Sequence, residues 1–307
     1  MTDIVLDTDP GHDDAIALFL AAGHPDIDVK AVTTVAGNHT VENTTRNARR
    51  LLTLIDRPDV PVARGCAEPL ARELTIADYV HGDSGIDGPE LPPAEVALDE
   101  RHAVDLLVDT VRENDGVTLV PVGPLTNVAM ALKKAPDIVD GIDEIVLMGG
   151  AVGEGNITPS AEFNVYVDPE AARTVFRAGV PTTMVGLDVT HESRVSGEWV
   201  RGLDDLDNRV GEVTAELLDF AAEYYEETYG WSSYPIHDAV AVGQVIDDAI
   251  VETEPMTVDV ETTGDVTDGR TVCDVVGVVD RPENARVGTG LDRERFLDLL
   301  RSTLAGY

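Results

Sequence analysis

Short apolar runs rich in β-branched residues recur along the chain, at Ile4–Leu6, Val29–Val35, Val117–Val122, Ile145–Met148 and Thr182–Leu187, each bounded by turn-forming residues. Runs of this length, apolar throughout instead of alternating, are the pattern of strands covered on both faces. Between them the apolar positions change to helical spacing, over Ala15–Ala22, Glu42–Ile55, Ala103–Arg112, Asn127–Leu132 and Pro169–Ala178. The last opens on Asp168-Pro169, an N-cap residue followed by a proline at the first helical position. Strand and helix in alternation predict an α/β fold, an open, mostly parallel, doubly wound sheet with helices on both faces. A longer helix is predicted near Gly211–Glu227, another after His237, and a closing one over Asp292–Leu304. Two β-rich runs, Met256–Thr262 and Thr271–Val279, predict a small antiparallel extension. No repeat or low-complexity linker interrupts the pattern, so residues 1–307 read as one domain, with Gly82–Pro93 as a long surface loop.

Composition narrows the possibilities. With 307 residues and 43% apolar content the chain can bury a sizeable core, which excludes a disordered or fibrous protein. The longest apolar run, Ala15–Ala22, is about half of a bilayer crossing, and the start Met1-Thr2-Asp3 lacks a basic leader, so a cytoplasmic protein without membrane attachment is expected. Cys66 and Cys273 are too far apart for a CxxC motif and read as small core residues. The 58 acidic and 22 basic residues give a net charge of −36, and the only lysines are Lys30, Lys133 and Lys134. Self-repulsion on that scale is tolerable where concentrated salt screens it, so a salt-adapted host is inferred. The same charge argues against a nucleic-acid partner, which requires basic patches.

In so acidic a chain, a cluster of aspartates carries weight only through its position. Asp7-Thr8-Asp9-Pro10-Gly11-His12-Asp13-Asp14 follows the first strand directly and runs through a Pro-Gly turn into a helix, which puts four carboxylates at the carboxyl edge of the sheet. Ligands bind at that edge in open α/β sheets, and hard cations take carboxylate oxygens, so Asp9 and Asp14 are plausible Ca²⁺ ligands. The residues alone equally allow Asp7 as a loop cap and Asp13-Asp14 as a helix N-terminal charge pair. The other strand ends carry uncharged polar groups: Asn38 after Ala36-Gly37, Val122 through Asn127, and Met148-Gly149-Gly150 leading to Asn156 and Ala161-Glu162-Phe163-Asn164. Asparagine and glutamate suit a vicinal diol, which donates and accepts hydrogen bonds in turn.

The stretch Asp7 through Ala15 resembles the N-terminal motif of the nucleoside hydrolases of the inosine-uridine preferring type. The resemblance extends, in order, through Thr33-Thr34-Val35-Ala36-Gly37-Asn38, His81-Gly82, Val122–Asn127, Asn156, Ala161–Asn164 and Pro235-Ile236-His237-Asp238. It implies a Ca²⁺ held by Asp9, Asp14, Asp238 and the carbonyl of Val122, with ribose against Asp13, Asn38, Asn156, Glu162 and Asn164. Phe163 falls within a matched segment and Met148 ends the fourth strand run; both are expected to line the substrate site. It implies further that His237 faces the leaving base, that His81 lies near the base, and that the protein is a homodimer or homotetramer serving nucleoside salvage.

The residue types fit that chemistry. A cation acidifies and positions a water, Asp13 is the candidate general base, the neighbouring carboxylates stabilise an oxocarbenium-like sugar, and His237 is the candidate acid for the departing base. Before His237 runs Tyr224-Tyr225-Glu226-Glu227-Thr228-Tyr229-Gly230-Trp231. Pyrimidine-preferring members resemble a Thr/Gln/Tyr pattern here. Only Tyr229 matches, with Tyr225 in place of an amide, and aromatic faces stack on any base, so both purine and pyrimidine ribonucleosides are expected as substrates. An aspartyl-phosphate phosphatase also begins strand-Asp-x-Asp, but it needs cationic residues and a phosphate cradle that this chain lacks. A non-catalytic sugar- or metal-binding protein would share the ligands without needing Asp13 and His237.

Overall fold

The computed structural model describes residues 1–307. Eight strands form the central sheet: β1 (Thr2–Thr8), β2 (Ile27–Thr34), β3 (Val62–Arg64), β4 (Val117–Pro121), β5 (Ile142–Met148), β6 (Thr182–Val185), β7 (Val251–Met256) and β8 (Ala285–Leu291). Their order is β3-β2-β1-β4-β5-β6-β8-β7, parallel except for the edge strand β7, which runs antiparallel to β8. Alternation along β1 divides the core: Ile4 and Leu6 belong to the apolar cluster on one face, Val5 to that on the other. Helices α1 (His12–Gly23), α2 (Val41–Leu54), α3 (Ala103–Glu113), α4 (Thr126–Lys134), α5 (Pro169–Phe176), α6 (Arg209–Tyr229), α7 (His237–Ile246) and α8 (Arg293–Leu304) cover the two faces. No helix is long and apolar enough to cross a membrane.

The strand order reverses beside β1, which pairs with β2 on one side and β4 on the other. The turns leaving β1 and β4 therefore diverge at their carboxyl ends and open a crevice there. Asp168 accepts from the backbone N–H of Ala171 as the predicted cap of α5. Helix α6 overruns its predicted span by two residues at each end and stops at Gly230, whose φ of 67° is the left-handed conformation favoured at a helix C-terminus.

Five expectations need correction. The run Thr182–Leu187 is strand only to Val185, because Leu187 opens a short helix, Leu187–Thr190. The antiparallel extension exists, as Val258–Val260 paired with Thr271–Cys273, but Val275–Val279 leaves the ladder and projects its valines into solvent. Met256 ends β7 in the main sheet instead of starting the extension. Gly82–Pro93 is not purely superficial: Ile86 and Leu91 are buried and tie it to the larger core. Cys66 and Cys273 are half-buried at the rim of the second core, not within it.

Candidate active site

Three elements deliver four carboxylates to the crevice. Asp9 leaves the end of β1, Asp13 and Asp14 occupy the first turn of α1, and Asp238 occupies the first turn of α7, which packs against α1. Both helix N-termini thus meet the same point, where unpaired backbone N–H groups favour negative charge. One carboxylate oxygen from each of Asp13, Asp14 and Asp238 lies within 4.8 Å of the other two.

Asp14 is held by four bonds, from Thr8 Oγ1 (2.5 Å), the Asp9 N–H (3.1 Å), the Gly11 N–H (3.0 Å) and Asn38 Nδ2 (2.9 Å). Asp9 accepts from the Asn38 N–H at 2.6 Å through Oδ2, while its buried Oδ1 has no partner. Glycines let the backbone close around Asp9. A Cβ on Gly37 or Gly123 would come within 2.2 Å of one of its oxygens. Asp7 points to the other face of β1, where Thr33 and Asn127 donate to Oδ1 at 2.6 and 2.8 Å and Oδ2 is unpartnered.

Burial sets the electrostatics. It raises the carboxyls of Asp9 and Asp238 well above the usual range, with Asp14 adding to the effect at Asp9 and Asp13 at Asp238. Burial, reinforced by Asp14, pushes Asp13 up to about 8, and burial alone pushes Asp7 to about 7. Glu162 is raised to about 6 by burial against the opposing hydrogen bonds from the N–H groups of Asn164 (2.8 Å), Gly150 (2.8 Å) and Val165 (3.1 Å). Four buried acids around one point, with an orphan oxygen among them, suit a hard divalent cation bound through oxygen.

Above this floor lies a cavity. Of the expected site residues, Asp13, Asn38, His81, Val122, Met148, Asn156, Glu162, Phe163, Asn164, Tyr225, Tyr229, His237 and Asp238 line it; Asp9 and Asp14 lie beneath, fully buried. No arginine or lysine lines the cavity, which leaves a phosphate without a partner. Asn164 donates to the carbonyls of Val122 (2.8 Å) and Met148 (3.2 Å), which ties the loops after β4 and β5 together, and Asn156 Oδ1 accepts from the Phe163 N–H at 2.9 Å.

The opposite wall is aromatic and imidazole. Thr190 Oγ1 bonds Nδ1 of His237 at 2.7 Å, and the Tyr225 hydroxyl bonds its Nε2 at 3.0 Å. Burial holds the His237 and His81 imidazoles well below their ordinary range. Tyr225, Tyr229 and Trp231 stack in series, with ring centroids 5.6 and 4.7 Å apart. Tyr79, Tyr224 and Tyr234 also line the cavity and were not anticipated. Tyr224 adjoins Tyr225 in the segment singled out, but nothing in the sequence around Tyr79 marks it as facing the same space.

Comparison with known proteins places this geometry. The family model described as inosine-uridine preferring nucleoside hydrolase matches residues 4–298. The chain is 47% identical over 306 residues to the protein named pyrimidine-specific ribonucleoside hydrolase RihA of Shewanella sp. (strain MR-4), covering 99% of this chain and 96% of the relative. It is 48% identical to the protein of the same name from Salmonella paratyphi C, covering 99% and 98% of the two chains. A solved structure described as a purine-preferring ribonucleoside hydrolase from Gardnerella vaginalis superposes with a TM-score of 0.94 at 35% identity over 99% of this chain and 98% of the other. One described as an inosine-guanosine nucleoside hydrolase gives 0.91 at 33% identity over 99% of both chains. The chain belongs to the inosine-uridine preferring nucleoside hydrolase family and is a ribonucleoside hydrolase, an enzyme that cleaves N-glycosidic bonds.

Proposed function

We propose that the enzyme is Ca²⁺-dependent, favours pyrimidine ribonucleosides and also accepts purine ribonucleosides. The observation that carries the metal dependence is the convergence of Asp13, Asp14 and Asp238 at the floor of a cavity with no arginine or lysine to balance them. Asp9, Asp14, Asp238 and the Val122 carbonyl would hold the ion, the free Oδ1 of Asp9 being available to it. Bound there, the cation supplies Lewis acidity toward water and an anchor for ribose hydroxyls.

Asp13 lines the cavity directly and serves as the general base that takes the proton of the attacking water. Its raised affinity for a proton in the bare protein falls when positive charge stands beside it. Asn38, Asn156, Glu162 and Asn164 orient the ribose; Glu162, held rigid by three backbone N–H groups, is pre-set to accept from a hydroxyl. Met148 and Phe163 pack the sugar side. The surrounding carboxylates favour the positive charge that develops on the sugar. On the base side, His237 is the proton source for the departing base, its ring fixed by Thr190 and Tyr225, while His81, Tyr225 and Tyr229 border the base.

The pyrimidine preference rests on the names of the 47–48% identical relatives, and the broader acceptance on the stacked aromatic wall, which no single base shape exploits alone. Release of free base from uridine, cytidine, inosine and adenosine tests this. Uridine and cytidine should give the highest kcat/KM, with measurable turnover of inosine; purines turned over faster than both pyrimidines would overturn the preference.

Three further properties belong to the same reading. The charge of −36 fits a salt-adapted, cytoplasmic protein. The bare valines of Val275–Val279 are the kind of apolar patch a monomer rarely leaves exposed, which supports a homodimer or homotetramer.

A further inference from the structure

Of the tyrosines that line the cavity, Tyr225 and Tyr234 are buried. The Tyr225 hydroxyl is bonded to His237, whereas that of Tyr234 makes no hydrogen bond within the protein. A buried tyrosine hydroxyl ordinarily finds a partner, because leaving it dry and unpaired costs stability. The oxygens that are sealed off without a partner belong to Asp7, Asp9 and Asn47. The Tyr234 hydroxyl is not among them and opens into the cavity.

The backbone fixes its place. Ser233–Tyr234 pairs antiparallel with Val195–Ser196, Tyr234 lying opposite Val195, and the Ile236 N–H donates to Ser193 Oγ at 2.8 Å. The Tyr234 ring stands edge-on to that of Tyr225, with centroids 5.0 Å apart and planes at 84°. Burial, and after it the charge of Asp13, holds the Tyr234 hydroxyl well above its ordinary range, so the group is a hydrogen-bond donor at neutral pH.

Tyr234 thus stands between two groups whose tasks are set out above. Asp13 serves the water that attacks the anomeric carbon, and Tyr225 borders the base. A hydroxyl between them meets the glycosidic bond and the base atom next to it. When that bond breaks heterolytically, its electron pair passes to the ring nitrogen and, by conjugation, onto the neighbouring acceptor, O2 in a pyrimidine and N3 in a purine. We propose that Tyr234 is a catalytic residue on the leaving-group side, its hydroxyl donating to that acceptor and stabilising the negative charge that gathers there. Both classes of base carry an acceptor beside the bond, so one donor serves both. The inference rests on the ribonucleoside hydrolase reading for placing a nucleoside in the cavity.

Tyr234→Phe removes the hydroxyl and no bond within the protein. With Ca²⁺ supplied, its kcat/KM for uridine and for inosine should fall about tenfold or more. Nicotinamide riboside has only C–H groups beside the bond and its pyridinium departs neutral, so its kcat/KM should stay within about twofold of the native value. Equal loss on all three substrates in a variant with the native melting temperature would overturn the proposal, as would unchanged turnover of uridine.

Calorimetry on the native enzyme reads the contact without a variant and without turnover. The riboside of 2-pyridone carries its oxygen beside the bond, and that of 4-pyridone carries it across the ring. The 2-pyridone riboside should bind about fivefold more tightly, a preference that Tyr234→Phe should remove. Equal affinities in the native enzyme would refute the contact. A native enzyme that released no base from uridine would contradict the hydrolase reading instead, and the pyridone ribosides would still decide whether Tyr234 meets the base.

Discussion

Asp13 stands at the first turn of α1 with a carboxyl that burial and Asp14 together push up to about 8. Replacing it by Ala should lower kcat about 10²- to 10⁴-fold, the usual share of a general base, while ribose binding measured by calorimetry persists. Unaltered turnover would remove Asp13 from that role. The raised acids also predict how the chelated protein responds to pH. A carboxyl that holds its proton more tightly when folded stabilises the folded state at low pH, and that contribution is lost as pH rises toward the raised value. His12, held at about 4 by burial, works in the opposite sense, but only below its ordinary value of 6.5. Between about pH 6.5 and 8, the raised acids Asp7, Asp9, Asp13 and Asp238 act in one direction, and the melting temperature of chelated protein should fall as pH rises, with Ca²⁺ weakening the trend. At this scale the sequence was legible where a carboxylate follows a strand end, as at Asp9 and Asp14. It was silent on Tyr79, because its place in the cavity wall depends on elements distant in the chain.

The small hairpin Val258–Val260 with Thr271–Cys273 is more than an extension of the sheet. Thr271 Oγ1 accepts from the Ala151 N–H at 2.9 Å and donates to the Ala151 carbonyl at 2.6 Å, and the adjacent Gly150 N–H holds Glu162. Thr271→Val should leave both Ala151 groups unpaired, costing about 1–3 kcal/mol in urea denaturation, and should raise KM for ribonucleosides by loosening Glu162. An unchanged KM would show that the hairpin does not support the ribose side. The long elements were readable because β-branched runs and helical spacing recur in a regular order. The edge strand β3 was not, since three residues carry no periodicity, and β7 was hidden by its exposed Glu252 and Glu254. The valines of Val275–Val279 look like a strand in sequence, yet no partner strand is offered to them within the chain.

Across the whole molecule, arginines form surface pairs such as Arg112–Asp137 and Arg101–Asp99, but 22 basic residues leave most of the 58 acidic ones unbalanced. Such repulsion is screened only at high ionic strength. Transfer from molar KCl to low salt should therefore lower the melting temperature, and a protein indifferent to salt would contradict the proposed salt adaptation. The fold rests on two cores and on a sheet that gathers strands from both ends of the chain, and its purpose for function is to hold the loops after β1 and β4 apart over buried acid. The most direct test of metal dependence is ribose release from uridine in enzyme stripped by a chelator and then titrated with Ca²⁺. Turnover should be lost on stripping and recover on adding Ca²⁺; full activity in the stripped enzyme would contradict a metal-dependent mechanism.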